Sequence, residues 1–275
     1  MQDIALLLAA GVITGVGEPW LQTCECTLPS LPGLFDPAVP DNPVLWAVLK
    51  GRHTGHALVD DELVPSQCVL RTDTGLTFSS INVDPDFLNS AIACFRLTGA
   101  VWLLGYSISD SGSYVPSPDR ISQRLEFIDY DPCDPRLAEL RARLPDGFEI
   151  RPIDRALLKR CEWQSEMEFF CGSMDNFLTN ALGLCLMCGE KIITEAYVSS
   201  FGDAYAEIGA ITRQAQRGKG YAPITCAYLI QECERRGFHG YWSCEMDNLA
   251  SVRVARKLGF RQEHTYEVLE YDRLQ

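Results

Sequence analysis

The sequence predicts an α/β protein in two parts. Residues 139–275 alternate strand-like and helical periods, and two of the helical runs close on Gly237 and Gly259. The stretch Ser107–Pro118 is rich in Ser, Gly, Asp and Pro, and Asp131-Pro132-Cys133-Asp134-Pro135 follows it. Both are turn and linker signals. They predict an N-terminal α/β extension over 1–138 and a second domain over 139–275. The length of 275 residues suits one large domain or two small ones, and a hydrophobic content of 47% supports a core.

In the first part, Val44–Leu49, Cys68–Arg71 and Val101–Gly105 read as short strands. Asp86–Thr98 reads as a helix with Leu88, Ile92, Ala93 and Phe95 on its apolar face. No phosphate loop, nucleophile elbow or paired metal motif occurs there. In the second part, Phe148–Pro152 reads as a strand, and Arg155–Trp163 and Asn176–Leu182 as helices. Leu184–Cys188 and Ile192–Ser199 read as a hairpin through Gly189-Glu190-Lys191. Tyr205–Thr212 is a strand, Tyr221–Arg236 a helix, Tyr241–Glu245 a strand and Asn248–Leu258 a helix. The last strand lies within Glu263–Tyr271.

The net charge is -13, of which -10 falls in residues 1–138. A protein that tracks phosphates along a nucleic acid needs a basic face, so nucleic acid is not expected as a partner. The apolar opening Ile4–Val16 is 13 residues long, short of the roughly 20 that span a bilayer. No Lys or Arg precedes Lys50, so a signal peptide would lack its positive start. The expectation is a soluble, cytoplasmic protein without a membrane partner. Several of the 12 cysteines lie in apolar runs, where thiols act as small hydrophobes. Cys185 and Cys188 form a CxxC, but in a strand a three-residue offset points the thiols to opposite faces. No metal is expected.

The segment with chemistry lies between strand 205–212 and helix 221–236: Arg213-Gln214-Ala215-Gln216-Arg217-Gly218-Lys219-Gly220. A strand running through a glycine-bearing loop into a helix start is an anion site, because the first helical N–H groups lack internal acceptors and the dipole is positive there. Pro223 falls in the first turn, where its missing N–H costs nothing. Arg217 and Lys219 add charge, and a pyrophosphate is the expected guest. Gly220 follows Lys219 where a P-loop requires Ser or Thr. Pro223 stands where a dinucleotide fingerprint requires its third glycine.

This segment resembles the GNAT superfamily of acyl-CoA N-acyltransferases. Gly218 and Gly220 match the glycines of its Gln/Arg-x-x-Gly-x-Gly/Ala signature, Arg217 matches the residue before them, and Ala215 departs at the Gln/Arg position. Asn248, Ser251 and Lys257-Leu258-Gly259-Phe260 resemble the downstream N-x-x-(A/S)…K-L-G-F helix. Glu207-Ile208-Gly209, Thr212, Arg217–Gly220, Trp242-Ser243-Cys244 and Asn248 with Ser251 are similar to a bacterial subgroup that includes the zwittermicin A resistance acetyltransferase. The resemblance spans residues 140–275. It implies a central mixed, mostly antiparallel sheet flanked by helices, and an N-terminal extension that is itself a degenerate GNAT-like half or a partner-binding element.

The resemblance also implies roles. Acetyl-CoA is the expected co-substrate. Its pyrophosphate would lie on Gln216, Arg217, Gly218, Lys219, Gly220, Tyr221 and Ala222. Its pantetheine arm would add to strand 205–212 near Ala210, Ile211 and Thr212, where backbone N–H groups could stabilise an oxyanion. Asn248 serves as an N-cap or contacts the pantetheine arm. Ser251 approaches the thioester sulfur or is an ordinary first-turn serine. Lys257 is a solvated helix-end charge or a 3′-phosphate partner. The acceptor is expected to be a small-molecule amine, such as an antibiotic or another amino metabolite, attacking directly in a ternary complex.

An amine must lose its proton to react, and a carboxylate can take it directly or through water. Glu207 is the first candidate base and Glu245 the second. The tyrosine that many family members carry seven residues after the Asn is replaced by Ala255, so no general acid is assigned. The same gap supports an alternative: a non-catalytic acyl-CoA-binding sensor with this fold. His239 and His264 read as structural or surface residues. Monomer and homodimer both remain open.

Overall fold

The structure, a computed structural model, describes residues 21–106 and 115–275. The apolar opening at 4–16 and residues 107–114 of the expected linker lie outside the described residues. The chain folds as two compact units, one formed by residues up to 124 with 266–275 and the other by 125–265.

The first unit contains β1 (Gln22–Cys24), β2 (Gly55–Val59), β3 (Cys68–Thr72), β4 (Leu76–Ser79), β5 (Val101–Leu103) and the end of β12 (Gln262–Tyr271), in that order across its sheet. Neighbours are antiparallel except β4 with β5. Helix α1 (Asn42–Leu49) and helix α2 (Pro85–Arg96) supply its other apolar faces. The expected strand at 44–49 is therefore a helix. Its apolar run is buried, and a short buried run does not reveal its period. The deciding feature is Pro43 in the first turn, which suits a helix start. Helix α2 agrees with expectation: Leu88, Ile92 and Phe95 are buried, with Ala91 and Cys94 beside them while Ala93 is half-buried. Asp84 caps it by accepting from the N–H groups of Asp86 and Phe87.

The second unit carries the end of β6 (Arg120–Asp129), then β11 (His239–Glu245), β10 (Tyr205–Thr212), β9 (Lys191–Phe201), β8 (Gly183–Cys188) and β7 (Phe148–Pro152) in sheet order. From β7 to β10 the pairs are antiparallel; β10 and β11 are parallel. Helices α3 (Pro135–Ala142), α7 (Tyr221–Arg235) and α8 (Leu249–Leu258) close one face through a core of Phe127, Leu137, Ile208, Leu229, Trp242 and Leu258. Helices α4 (Arg155–Leu158), α5 (Gln164–Cys171) and α6 (Met174–Asn180) close the other over Met167, Phe177, Met187 and Tyr197.

Two differences from the sequence reading have local causes. The Asp-Pro run read as linker starts helix α3, with Asp134 as N-cap accepting from Arg136 N–H and Pro135 at the first position. The same residues that punctuate turns also begin helices. The expected helix at 155–163 stops at Leu158, because the buried Glu195 carboxylate accepts from the N–H groups of Glu162 (2.7 Å) and Trp163 (3.1 Å). Those donors are held by a strand side chain and leave the helical ladder. Cys185, the first thiol of the CxxC, is buried in β8 with its Sγ 3.9 Å from that of Cys161.

Leu229 is fully buried in the α7 face of the second unit. Leu229→Ala should lower unfolding stability by about 2–5 kcal/mol in urea titrations.

Candidate active site

The site begins with a backbone event. Strands β10 and β11 pair in parallel at Tyr205–His239, Ala206–Gly240 and Glu207–Tyr241, and among the described residues the pairing stops there. Both strands continue, β10 to Thr212 and β11 to Glu245. The β11-facing edge of β10 from Ile208 to Thr212 thus carries hydrogen-bonding groups outside the ladder, and a buried or ligand-facing edge of that kind calls for a partner. At the same point β9 bulges: Glu207 pairs with Ser200 and Ile208 with Val198, leaving Ser199 as the extra residue. A bulge bends its strand and re-aims side chains.

The bulge organises Glu207. Ser199 Oγ donates to Glu207 Oε2 at 2.8 Å, and Ser243 Oγ, from β11, donates to Oε1 at 3.0 Å. The half-buried carboxylate is thereby fixed between two strands at the point where they part. Gly209, two residues on, lies under an aromatic wall. A Cβ there would approach Tyr197 Cε1 at 3.3 Å and Trp163 Cζ3 at 3.4 Å. The two rings meet edge to face with centroids 5.8 Å apart. Burial is the main cause, and the nearby Glu207 charge a second, that pushes the Tyr197 hydroxyl well above its ordinary range.

The expected phosphate loop is built from two left-handed glycines, Gly218 (φ 79°) and Gly220 (φ 83°), a conformation that costs other residues a strained backbone. Gly220 is also the N-cap of α7, so no side chain covers the first N–H groups of that 15-residue helix. Gln216 ends a single 3-10 turn, and its Oε1 accepts from Lys219 Nζ at 2.8 Å. Arg217 folds back, its Nε donating to Thr212 carbonyl oxygen at 3.0 Å, so it fastens the loop to β10. Tyr221 opens α7 with its ring 5.3 Å from that of Phe148, and Ala222 is half-buried behind it. Ala210, Ile211 and Thr212 all lie on the stretch of β10 beyond its β11 partner.

A cleft of about 470 Å³ opens beside the helix start, and Arg136, Arg143, Lys219 and Lys257 line it with Glu139 as the acid. That is a cationic recess in a chain of net charge -13. Lys257 lines the same cleft as Lys219 of the loop. The sequence reading took 131–135 as linker and gave 136–143 no element, so it did not single out Arg136 and Arg143. Arg136 is held by Asp134, whose carboxylate it and Arg261 keep well below the usual range.

Asn248 is the N-cap of α8 and accepts from Ser251 N–H at 3.1 Å. Ser251 Oγ accepts from Trp242 Nε1 at 2.9 Å. Ala255 is fully buried in the core, so the missing tyrosine position offers no hydroxyl. Glu245 is exposed at the end of β11. His239 and His264 are exposed and rest on Glu234 (3.1 Å) and Glu126 (3.4 Å). Arg213, between β10 and the loop, donates to Glu195 Oε1 (2.9 Å), Glu162 Oε2 (3.0 Å) and Arg160 carbonyl oxygen (2.7 Å). It ties the start of the glycine loop to the turn that carries Trp163. Among the described residues no group of three or more His, Cys, Asp or Glu side chains is placed to hold a metal ion, and no helix is long and apolar enough to cross a membrane.

The structure thus sets a parted parallel strand pair beside a helix start that no side chain caps. The chain belongs to the GNAT acetyltransferase family, whose sequence model matches residues 111–269. It is 22% identical over 233 residues to a Bacillus subtilis (strain 168) protein described as the uncharacterized N-acetyltransferase YdfB, a match covering 82% of this chain and 88% of that one. Its fold is similar to a GCN5-related N-acetyltransferase-like protein from Streptococcus suis 89/1591 (TM-score 0.62, 24% identity, 83% of this chain and 93% of that). It is similar also to a tandem GNAT protein from the clavulanic acid biosynthesis pathway (TM-score 0.58, 11% identity, 90% and 93%). The chain is thus an N-acetyltransferase by class, with the mixed sheet and flanking helices of that fold.

Burial raises the Glu195 carboxyl above its ordinary value of 4.5, and Arg213 opposes that rise. Arg213→Ala removes the opposing charge, so Glu195 should keep its proton to still higher pH. Below 4.5 the carboxyl is protonated in folded and unfolded chains alike, and the loss of stability should be at its smallest. Only above the wild-type folded pKa, itself raised above 4.5, does wild type form an ion pair that the variant lacks. The deficit should therefore grow with pH and level off past the variant's raised folded pKa, as thermal melts across a pH series would register.

Proposed function

We propose that this protein transfers an acetyl group from acetyl-CoA to a primary amine of a small molecule, by direct attack in a ternary complex. The observation that carries this is the parting of β10 and β11 at Glu207, where a carboxylate fixed by two serines meets an unpaired strand edge. On this reading the pantetheine arm adds to β10 along Ala210, Ile211 and Thr212. The segment Gln216–Ala222 holds the pyrophosphate with backbone N–H groups. Glu207 accepts the amine proton, directly or through water, as the nitrogen attacks the thioester carbonyl. Backbone N–H groups on the open β10 edge stabilise the oxyanion. Asn248 orders the start of α8 beside the arm.

The cationic cleft supports a place for the 3′-phosphate on Lys257 and Arg143. Two families of acceptor fit the chemistry, an antibiotic and another amino metabolite. The motif resemblance to the zwittermicin A resistance subgroup favours the first. We assign the extension over 1–138 to a degenerate GNAT-like half and the catalytic domain to 139–275; the tandem architecture of one structural relative supports this arrangement. A non-catalytic acyl-CoA sensor is the second reading, favoured by the burial of Ala255 at the usual tyrosine position.

With acetyl-CoA and a panel of amines, free thiol should be released at a rate that depends on the amine. Glu207→Gln should lower kcat by about 10²- to 10⁴-fold and leave coenzyme A affinity unchanged in calorimetry. Binding of acetyl-CoA without turnover on any amine would select the sensor reading. Arg143→Ala and Lys257→Ala should each weaken coenzyme A by about two- to fivefold and leave dephospho-coenzyme A unaffected. Equal losses for both ligands would remove the 3′-phosphate from this cleft.

A further inference from the structure

The CxxC of Cys185 and Cys188 lies along a strand, and the partner that Cys185 meets in space is a different thiol. Its Sγ is 3.9 Å from Cys161 Sγ, and both side chains belong to the core between the sheet and helices α4, α5 and α6. That separation is a van der Waals contact, whereas a disulfide needs about 2.0 Å. One of the two residues must move to close it. Cys185 is fully buried in β8, paired with Arg151 of β7 on one side and with Glu195 of β9 on the other. A strand held by ladders on both sides stays where it is. Cys161 is 8% exposed and sits in the turn between α4 and α5, flanked by exposed Arg160 and Glu162.

The turn is clamped on either side of Cys161. The Arg160 carbonyl oxygen accepts from Arg213 at 2.7 Å, and Glu195 holds the N–H groups of Glu162 and Trp163. Glu195 stands directly across the ladder from Cys185. Bonds to the residues before and after Cys161 thus keep its side chain against β8. Contact with Cys185, and then burial, hold the Cys161 thiol well above its ordinary range. With the turn closed, the pair is protonated and slow to react. A local opening of the turn breaks a few hydrogen bonds, leaves the sheet intact and exposes Cys161 first.

We propose that Cys161 and Cys185 form an oxidisable pair, in which Cys161 meets the oxidant and Cys185 resolves it into a disulfide. The oxidant is hydrogen peroxide, small enough to reach a thiol in a turn. The Cys161 sulfur attacks one peroxide oxygen, the O–O bond breaks, and one water leaves with Cys161 as a sulfenic acid. The Cys185 sulfur then attacks the Cys161 sulfur, the S–O bond breaks, and a second water leaves as the disulfide forms. Two thiols are oxidised and one peroxide is reduced to two waters. The bond closes residues 161–185 into a loop that contains α5, α6 and Trp163, whose ring lies beside Gly209. Oxidation therefore fastens the start of that segment to the strand that ends it and restrains its opening. The pairing stands apart from the coenzyme A reading of the site.

The reduced full-length protein is treated with hydrogen peroxide in native buffer. It is then quenched with an alkylating agent in denaturant and digested for peptide mass spectrometry. Wild type should yield Cys161 joined to Cys185, and dithiothreitol should release the link. In Cys185→Ser the sulfenic acid meets no resolving thiol, so Cys161 should accumulate added oxygen. In Cys161→Ser, Cys185 should stay reduced; melting curves of both reduced variants establish that they are folded. Amide hydrogen exchange across 162–180 should slow by about tenfold or more in cross-linked wild type. Exposed Cys133 reports that peroxide has reacted. Cys161 and Cys185 left as thiols once Cys133 is oxidised would overturn the inference, and that result needs no variant. Oxidation of Cys185 in Cys161→Ser as fast as in wild type would reverse the order of attack. A cross-link that leaves exchange unchanged would remove the restraint on the segment.

Discussion

The second unit is organised around the point where β10 and β11 stop pairing. Parallel strands joined through a helix normally share a continuous ladder, and a backbone group left outside it costs free energy unless something else bonds it. Here the ladder ends after three residue pairs while both strands run on. The bulge in β9 falls at the same level, so the distortion on one side of β10 accompanies the parting on the other. Around this point the structure gathers Glu207, its two serine donors, the aromatic wall over Gly209 and the Trp242–Ser251 pair.

Two kinds of electrostatics divide the site. At the start of α7, positive charge comes from backbone geometry and from Arg136, Arg143, Lys219 and Lys257, in a chain whose overall charge is strongly negative. The field there is local, set by the bare start of α7 and the recess beside it. On the strand side, carboxylates dominate, and each is held by specific donors: Glu207 by Ser199 and Ser243, Glu195 by two backbone N–H groups and Arg213. Arg213 links the two sides mechanically. It anchors the residue entering the loop to the turn that carries Trp163, so a displacement of the loop is felt at the aromatic wall.

The conformation of the glycine loop before α7 was legible in the sequence because it is a local feature. Two glycines, a strand before and a helix after determine its conformation within ten residues, and the helix dipole follows from chain direction alone. Asn248 as cap and the burial of one face of α2 were legible for the same reason. Helix α3 was not, since Asp-Pro punctuation marks helix starts and turns alike. Nor was the helical state of 42–49, where a short buried apolar run carries no period.

What the sequence by itself determined was the order of elements in the second half, the glycine loop before α7 and the residue types at its edge. These depend on neighbours within a turn or two of chain. Only the tertiary structure decided which side chains meet. Ser199 reaches Glu207 because a bulge adds one residue to β9; Trp242 finds Ser251 because α8 packs across β11; Arg136 and Arg143 enter the cationic recess because α3 packs beside α7. Those distances are set by strand register and helix packing across long separations in sequence, and no local periodicity encodes them.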